Sequence, residues 1–132
     1  ILNVKIEGDI VKAPCILNNS RQMEFSIVQN QPNIQFSYDE AMKLLKEGRI
    51  TTANFEMKEA AIDKDGNILE KQMMVLESIR VGEESIENVS VQVIKNLKTP
   101  IVFGENSFTS SFGKYEVNKT NSTMTVTTNT DN

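Results

Sequence analysis

Short runs in which apolar and polar residues alternate constrain this chain more than any other feature. The segments 23–27 and 89–93 both place apolar side chains at every second position, and a period of two is typical of a strand with one buried face. Turn-forming residues separate these runs from others of similar length. Strands are therefore predicted at 2–6, 10–17, 23–28, 54–62, 68–79, 86–94 and 112–117, with shorter ones at 101–104 and 123–127.

One segment has the signature of a helix. Ser37 and Glu40 have the spacing of a capping box, and Gly48 follows the last apolar position, as is usual where helices begin and end. The apolar residues between them form one broad stripe, which is the pattern of a helix packed on a sheet. A helix is therefore predicted over 38–47, and 105–111 could add one helical turn.

Length and charge limit the possible classes of protein. At 132 residues, with 39% apolar and 24% charged residues, the chain has the composition of one ordinary globular core. A single domain over 1–132 is the default, with a frayed tail after about residue 127. The net charge of −4 comes without a basic cluster, which argues against nucleic-acid binding.

No run approaches the eighteen or so apolar residues of a membrane-spanning segment. Localisation stays open, because a periplasmic or secreted protein and a part of a larger protein both fit a chain that begins at Ile1.

Metal and cofactor sites are not expected. Cys15 is the single cysteine and the chain has no histidine, which argues against zinc or iron. The run from Asp63 to Asn67 resembles the start of a calcium loop. An EF-hand there would need glycine at position 68 and a carboxylate at position 74, where the chain has Ile68 and Met74. A hairpin turn is the better interpretation, because Asp-Gly and Gly-Asn pairs favour turns.

Several segments, taken in order, resemble the single-domain, retropepsin-like aspartic proteases of bacteria. That family carries Asp-Thr/Ser-Gly-Ala-Ser before a Val-Ser-Ile strand, and later Leu-Leu-Gly-x-Ser-Phe-Leu before a Phe-x-x-Tyr/Trp-x-Val/Ile strand. The resemblance runs from Val4 to about Val126, and its pieces are Phe25-Ser-Ile, the helix and turn from Met42 to Phe55, Leu76-Glu-Ser-Ile-Arg-Val-Gly, Ile86-Glu-Asn-Val-Ser-Val-Gln-Val, Val102-Phe-Gly-Glu-Asn-Ser-Phe and Phe112-Gly-Lys-Tyr-Glu-Val. It implies a mostly β fold, a closed acid-protease β-barrel with one α-helix, in which a flap hairpin covers the substrate.

The catalytic loop is degenerate if Phe25-Ser-Ile matches the family's Val-Ser-Ile. Asn19 then stands at the aspartate, Ser20 at the Thr/Ser and Arg21 at the glycine; a shift of one residue would place Asn18 at the aspartate instead. An amide can act neither as a base nor as an acid near neutral pH, and a side chain at the glycine position obstructs the tight turn. No catalytic residue is therefore expected, and the strand 101–104, which in the family passes beside the catalytic loop, should support the Asn19 loop.

The resulting hypothesis is a catalytically inactive domain that acts as a peptide-binding or assembly module. Its expected partner is an extended peptide or protein segment held under the flap, with Ser20, Ala60, Ala61 and Ile62 as contacts. Whether two copies form a homodimer across the Asn19 loop is left open. The alternatives are a purely structural domain of a larger protein and an active peptidase with an unrecognised site.

Overall fold

A computed structural model describes residues 2–29 and 31–127 of the chain. This part contains ten strands and two α-helices, with two 3₁₀ turns at Thr52–Asn54 and Lys58–Ala61. The strands are β1 (Leu2–Asn3), β2 (Lys5–Glu7), β3 (Ile10–Leu17), β4 (Arg21–Val28), β5 (Gln35–Ser37), β6 (Met73–Val81), β7 (Glu84–Ile94), β8 (Ile101–Gly104), β9 (Lys114–Asn118) and β10 (Thr123–Thr127), and the helices are α1 (Tyr38–Lys46) and α2 (Glu105–Phe112).

Six strands close into a barrel, so the fold is mostly β, as expected. The larger sheet has the order β2-β3-β4-β8-β5-β7-β6, and β3 also pairs with β6. That last pairing joins Ile16 to Arg80 and Leu17 to Ile79 in antiparallel register. Both Leu17 and Ile79 are fully buried, so the closure of the barrel coincides with burial of its own side chains.

The strand β8 lies between two strands that are consecutive in the chain. It runs parallel to β4, with Phe25 beside Ile101, and antiparallel to β5, with Phe36 also beside Ile101. All four residues of β8 are buried, as expected for a strand covered on both faces. Because β8 separates β4 from β5, the connection 29–34, of which the structure describes Gln29 and residues 31–34, passes the end of β8.

A cluster of aromatic rings fills the core beside β8. The Phe25 ring lies 5.6 Å from the rings of both Phe103 and Phe108. Phe108 also packs against Phe112 at 5.1 Å and against Tyr115 at 5.4 Å. Aromatic pairs at this spacing contribute beyond the area that they bury, and they fix α2 against the barrel.

The remaining strands form a small separate sheet in the order β1-β10-β9. The predicted strand 2–6 is divided at Val4, so that β1 pairs with β10 and β2 pairs with β3. The Val4 N–H donates to the Ser122 carbonyl at 2.9 Å. The chain therefore passes from one sheet to the other at this residue.

The predicted strand 54–62 is wrong. The N–H groups of Lys58, Ala60 and Ile62 each donate to the carbonyl three residues earlier, at 3.1, 3.0 and 3.2 Å. These local bonds use backbone donors that a strand would pair with its neighbour. The segment forms 3₁₀ turns instead, with isolated bridges from Phe55 to Met74 and from Ile62 to Ile68.

The bounds of other strands and helices also differ from the predicted ones. The strand predicted from 68 begins at Met73, after Lys71 in a left-handed conformation with a φ of 63°. The predicted turn at 105–111 is a second α-helix, where one helix was expected, and it ends at Phe112. Gly113, with a φ of 116°, separates it from β9, so the strand predicted at 112–117 begins at Lys114. The predictions at 10–17 and 101–104 match β3 and β8, and β10 confirms the strand at 123–127. The expected fraying after residue 127 lies outside the described residues.

None of the helices within residues 2–29 and 31–127 is long and apolar enough to cross a membrane.

Candidate functional site

The Asn19 loop is a tight hairpin turn between β3 and β4. Asn18 and Asn19 both have left-handed backbones, with φ of 50° and 62°, and the Ser20 N–H donates to the Leu17 carbonyl at 3.0 Å. Asparagine tolerates this conformation better than most residues, which is why it recurs in hairpin turns. The left-handed turn is therefore enough to explain why asparagine occupies both positions.

Two hydrogen bonds attach this turn to β6. The Asn18 N–H donates to the Ser78 carbonyl at 2.8 Å, and the Ser78 N–H donates to Asn18 Oδ1 at 3.1 Å. They continue the β3–β6 pairing by one residue beyond Leu17. Asn18 thus helps to close the barrel.

Arg21 fixes the same turn to α1. Its Nη1 lies 2.7 Å from Glu47 Oε1, and its Nη2 lies 3.9 Å from Glu40 Oε1. A cavity of about 230 Å³ lies beside this ion pair, and the described residues that line it are Leu17, Asn18, Ser20, Arg21, Leu44, Arg49 and Glu77. Ser20 is therefore on a cavity wall, but Ala60, Ala61 and Ile62 are not among the residues that line it.

The expected contacts at 60–62 are corrected in part. Ala61 is fully buried and lies in a 3₁₀ turn, so in this conformation it offers no surface to a peptide. Ala60 is exposed and Ile62 is half-buried. Their role and that of Ser20 stay a prediction.

The turn at Asp63–Asn67 has the expected form. Asp63 Oδ1 accepts hydrogen bonds from the N–H groups of Asp65 and Asn67, each at 2.9 Å, and the Gly66 N–H donates to the Asp63 carbonyl at 3.0 Å. An aspartate that bonds to the backbone ahead of it stabilises a turn. One carboxylate oxygen of Asp63 is thus used within the turn, and no group of three metal-ligating side chains occurs in the described part of the chain.

The segment after this turn is packed against α1. The Tyr38 hydroxyl donates to the Ile68 carbonyl at 2.6 Å, and the Ile68 N–H lies 3.4 Å from Met42 Sδ. Ile68 is only 3% exposed. The region expected to form a flap hairpin is therefore joined to the helix at its base, with a single bridge at Ile62 and Ile68 in place of two long strands.

The strand expected to support the Asn19 loop lies against a different connection. A Cβ placed on Gly104 would come within 1.6 Å of the Gln31 carbonyl oxygen and 2.7 Å of its carbon. Only a glycine permits so close an approach. The expectation that β8 supports the Asn19 loop is wrong, because β8 ends at the connection 29–34.

A cavity of about 630 Å³ opens at this connection. The described residues that line it are Gln29, Gln31, Pro32, Glu105 and Asn106, most of them exposed. The lining supplies amide donors and acceptors from three side chains and a carboxylate from one. It is therefore a polar surface with both kinds of hydrogen-bonding partner.

A smaller cavity of about 170 Å³ shares Gln29 and Glu105 with the first. Its other described lining residues are mainly aliphatic or aromatic, and they are Ile6, Gly8, Asp9, Val11, Ile27, Val28, Tyr115, Val117 and Lys119. Burial and the nearby Glu105 carboxylate both raise the pKa of Tyr115, burial more strongly. Glu105 is thus close enough to influence a group in the second cavity.

The sequence carries only a partial signal at this site. The polar run Gln29-Asn-Gln-Pro-Asn33 separates the apolar run of β4 from the short strand β5, and α1 follows directly. Phe36-Ser37 matches the first two residues of the family's Val-Ser-Ile strand as well as Phe25-Ser26 does. The pattern alone does not decide between these two placements.

Comparisons with known proteins support the fold. No family model matches the chain, and no curated protein matches it in sequence. A crystal structure of a retropepsin-like aspartic protease from Rickettsia conorii matches with a TM-score of 0.57 and 15% identity, over 90% of this chain and 83% of that one. The retroviral protease-like domain of Ddi1 from Leishmania major matches with a TM-score of 0.55 and 10% identity, over 91% and 90%. At identities this low, the two matches are evidence about the fold alone. Together with the closed six-stranded barrel, they establish that this chain has a retropepsin-like fold.

Proposed function

We propose that this domain binds an extended peptide or protein segment at the connection 29–34 and does not cleave it. The observation that carries the proposal is the contact of Gly104 with the Gln31 carbonyl. In the family that the sequence resembles, the strand ending in this glycine passes beside the catalytic loop. By that criterion the counterpart of the catalytic loop is 29–34.

The residues of this connection argue against acid–base chemistry. Its sequence is Gln-Asn-Gln-Pro-Asn-Ile and contains no carboxylate. An aspartic-protease site needs two carboxylates that share one proton, and the amides of glutamine and asparagine are neither acids nor bases near neutral pH. Glu105 lines the same cavity, but it is the first residue of α2 and does not lie on the loop that would carry the family's aspartate.

The same residues favour binding to a peptide backbone. Each residue of an extended peptide presents one N–H donor and one carbonyl acceptor, and the amides of Gln29, Gln31 and Asn106 offer the complementary acceptors and donors. Binding of this kind uses main-chain hydrogen bonds for affinity and adjacent pockets for selectivity. The second cavity would supply such a pocket.

The test has two parts, cleavage and binding. Cleavage of a diverse peptide library at acidic and neutral pH would be followed by mass spectrometry, with pepstatin as a control, and no cutting is expected. Asn19→Asp should not change this result, because Asn19 lies in the turn between β3 and β4 and not in the connection beside Gly104. Pepstatin-sensitive cutting by the unmodified domain would refute the proposal.

Binding would be measured with immobilised peptides drawn from the same library. Gln31→Ala should weaken it, whereas Gln22→Ala provides a matched control because Gln22 is exposed on β4, near the opposite end of that strand. Equal loss in both variants, or no binding by the unmodified domain, would count against the site.

A purely structural domain is the second candidate. It is favoured by the attachment of Ile68 to Tyr38 and Met42, because a segment fixed in this way is poorly suited to close over a ligand. A homodimer in which a second copy faces the connection 29–34 is a third arrangement. Sedimentation of the purified domain separates it from the peptide-binding monomer.

A further inference from the structure

We propose that the segment bound at 29–34 carries a lysine or arginine next to an aliphatic residue, with the cation paired to Glu105 and the aliphatic side chain in the second cavity. This inference rests on the proposed function and specifies its ligand.

The first step is the position of Glu105. It lines both cavities, and so does Gln29, so a ligand that extends from one cavity into the other passes this carboxylate. None of the ion pairs formed among residues 2–29 and 31–127 includes Glu105. Its charge is therefore available to a ligand cation.

The second step is the contrast between the two cavities. The larger cavity is lined by amides, proline and the carboxylate, so it offers little apolar surface for an aliphatic group. The smaller one has aliphatic walls from Ile6, Val11, Val28 and Val117. An aliphatic ligand side chain removes more apolar area from water there than in the first cavity.

The third step is the balance of charge. The chain carries a net charge of −4, and the first cavity contains Glu105 as its single charged residue among the described lining. A basic segment is attracted by both, whereas an acidic one is repelled by both. Lys119 lines the second cavity only, and the lining of that cavity also includes Asp9.

Labelled octapeptides with a central Arg-Leu pair and Ser/Gly flanks would test the proposal by fluorescence anisotropy. The comparison peptides are citrulline-Leu, which loses the charge and keeps the shape, Arg-Ser, which loses the aliphatic group, and Glu-Leu, which reverses the charge. The Arg-Leu peptide should bind about fivefold more tightly than citrulline-Leu, as expected for one partly exposed ion pair. Arg-Ser should also bind more weakly than Arg-Leu.

Two charge-neutralising variants identify the residue responsible. Glu105→Gln should abolish the preference for arginine over citrulline, and Glu83→Gln, which makes the same change at the exposed β6–β7 turn, should preserve it. Binding of Arg-Leu and citrulline-Leu with equal affinity would overturn this inference and leave the proposed function standing, as would tighter binding of Glu-Leu. If none of the four peptides binds, and the immobilised peptide library gives no ligand either, both proposals fail.

Discussion

The contact between Gly104 and the connection 29–34 gives the sharpest prediction. In Gly104→Ala the new Cβ would lie 1.6 Å from the Gln31 carbonyl oxygen. Ordinary contact begins at 3.4 Å, so the two backbones must separate by about 1.8 Å in a closely packed region where neighbours leave little room. The obstacle is the Gln31 main chain, and the Gly104 backbone fixes the position of the new Cβ, so no rotamer change can relieve the clash.

The cost can be estimated from the geometry. Gly104 has a φ of −74° and a ψ of 156°, an extended conformation that alanine adopts without strain. The whole effect is therefore steric, and overpacking of a well-packed site costs about 1–3 kcal/mol and sometimes more. We expect about 3 kcal/mol, which lowers the Tm of a chain of this size by roughly 10 °C.

Gly48→Ala is the matched control, because it makes the same chemical change under opposite conditions. Gly48 has a φ of 74° and open space around its Cβ position, so alanine there meets backbone strain without a clash and should cost about 1 kcal/mol. Urea unfolding gives the free energies, and peptide binding tests whether the connection has moved. A Gly104→Ala variant within about 0.5 kcal/mol of the unmodified protein, with binding intact, would refute the close contact.

Three further predictions concern the core and the flap region. Phe108→Ala should destabilise the fold by about 4 kcal/mol, because it removes a fully buried ring that contacts four other rings; thermal unfolding measures the loss. Tyr38→Phe should cost about 1 kcal/mol and speed amide exchange at 62–70, since it removes the hydroxyl that donates to Ile68; unchanged exchange there would contradict the attachment. Burial raises the pKa of Cys15 from 9.0 to about 12, so above about pH 9 the unfolded chain loses a proton that the folded chain keeps, and stability should fall as pH rises. Cys15→Ala should flatten that decline in urea unfolding between pH 8 and pH 11.

The barrel could be predicted from the sequence where a strand alternates and has turn residues on both sides. The strand at 10–17 has the predicted bounds, and the helix begins at the predicted residue after its Ser37 cap, whose Oγ accepts from the Glu40 N–H at 3.3 Å. In these segments local preference and tertiary packing point to the same structure. The strand predicted at 54–62 is wrong because the N–H groups of Lys58, Ala60 and Ile62 donate to carbonyls three residues earlier and not to a neighbouring strand.

The candidate site could not be located from the sequence. The turn at 18–20 and the connection 29–34 are both polar runs that follow an apolar strand and precede another. What distinguishes them is the insertion of β8 between β4 and β5, which brings Val28 beside Gly104. Contacts between residues so far apart in the chain leave no periodic signal in the sequence.

The same insertion governs how the chain can fold. The partner strands β4 and β5 are made early in synthesis, but β8 follows them by more than sixty residues, so they cannot complete their pairing until most of the chain exists. Long-range pairing of this kind slows folding, because loop closure precedes the contacts that compensate for it. Until β8 arrives, Phe25 and Phe36 lie on strands with an unpaired edge, and exposed edges of this kind promote association with other chains. The interval between synthesis of β5 and insertion of β8 is therefore the period in which this protein is most exposed to aggregation.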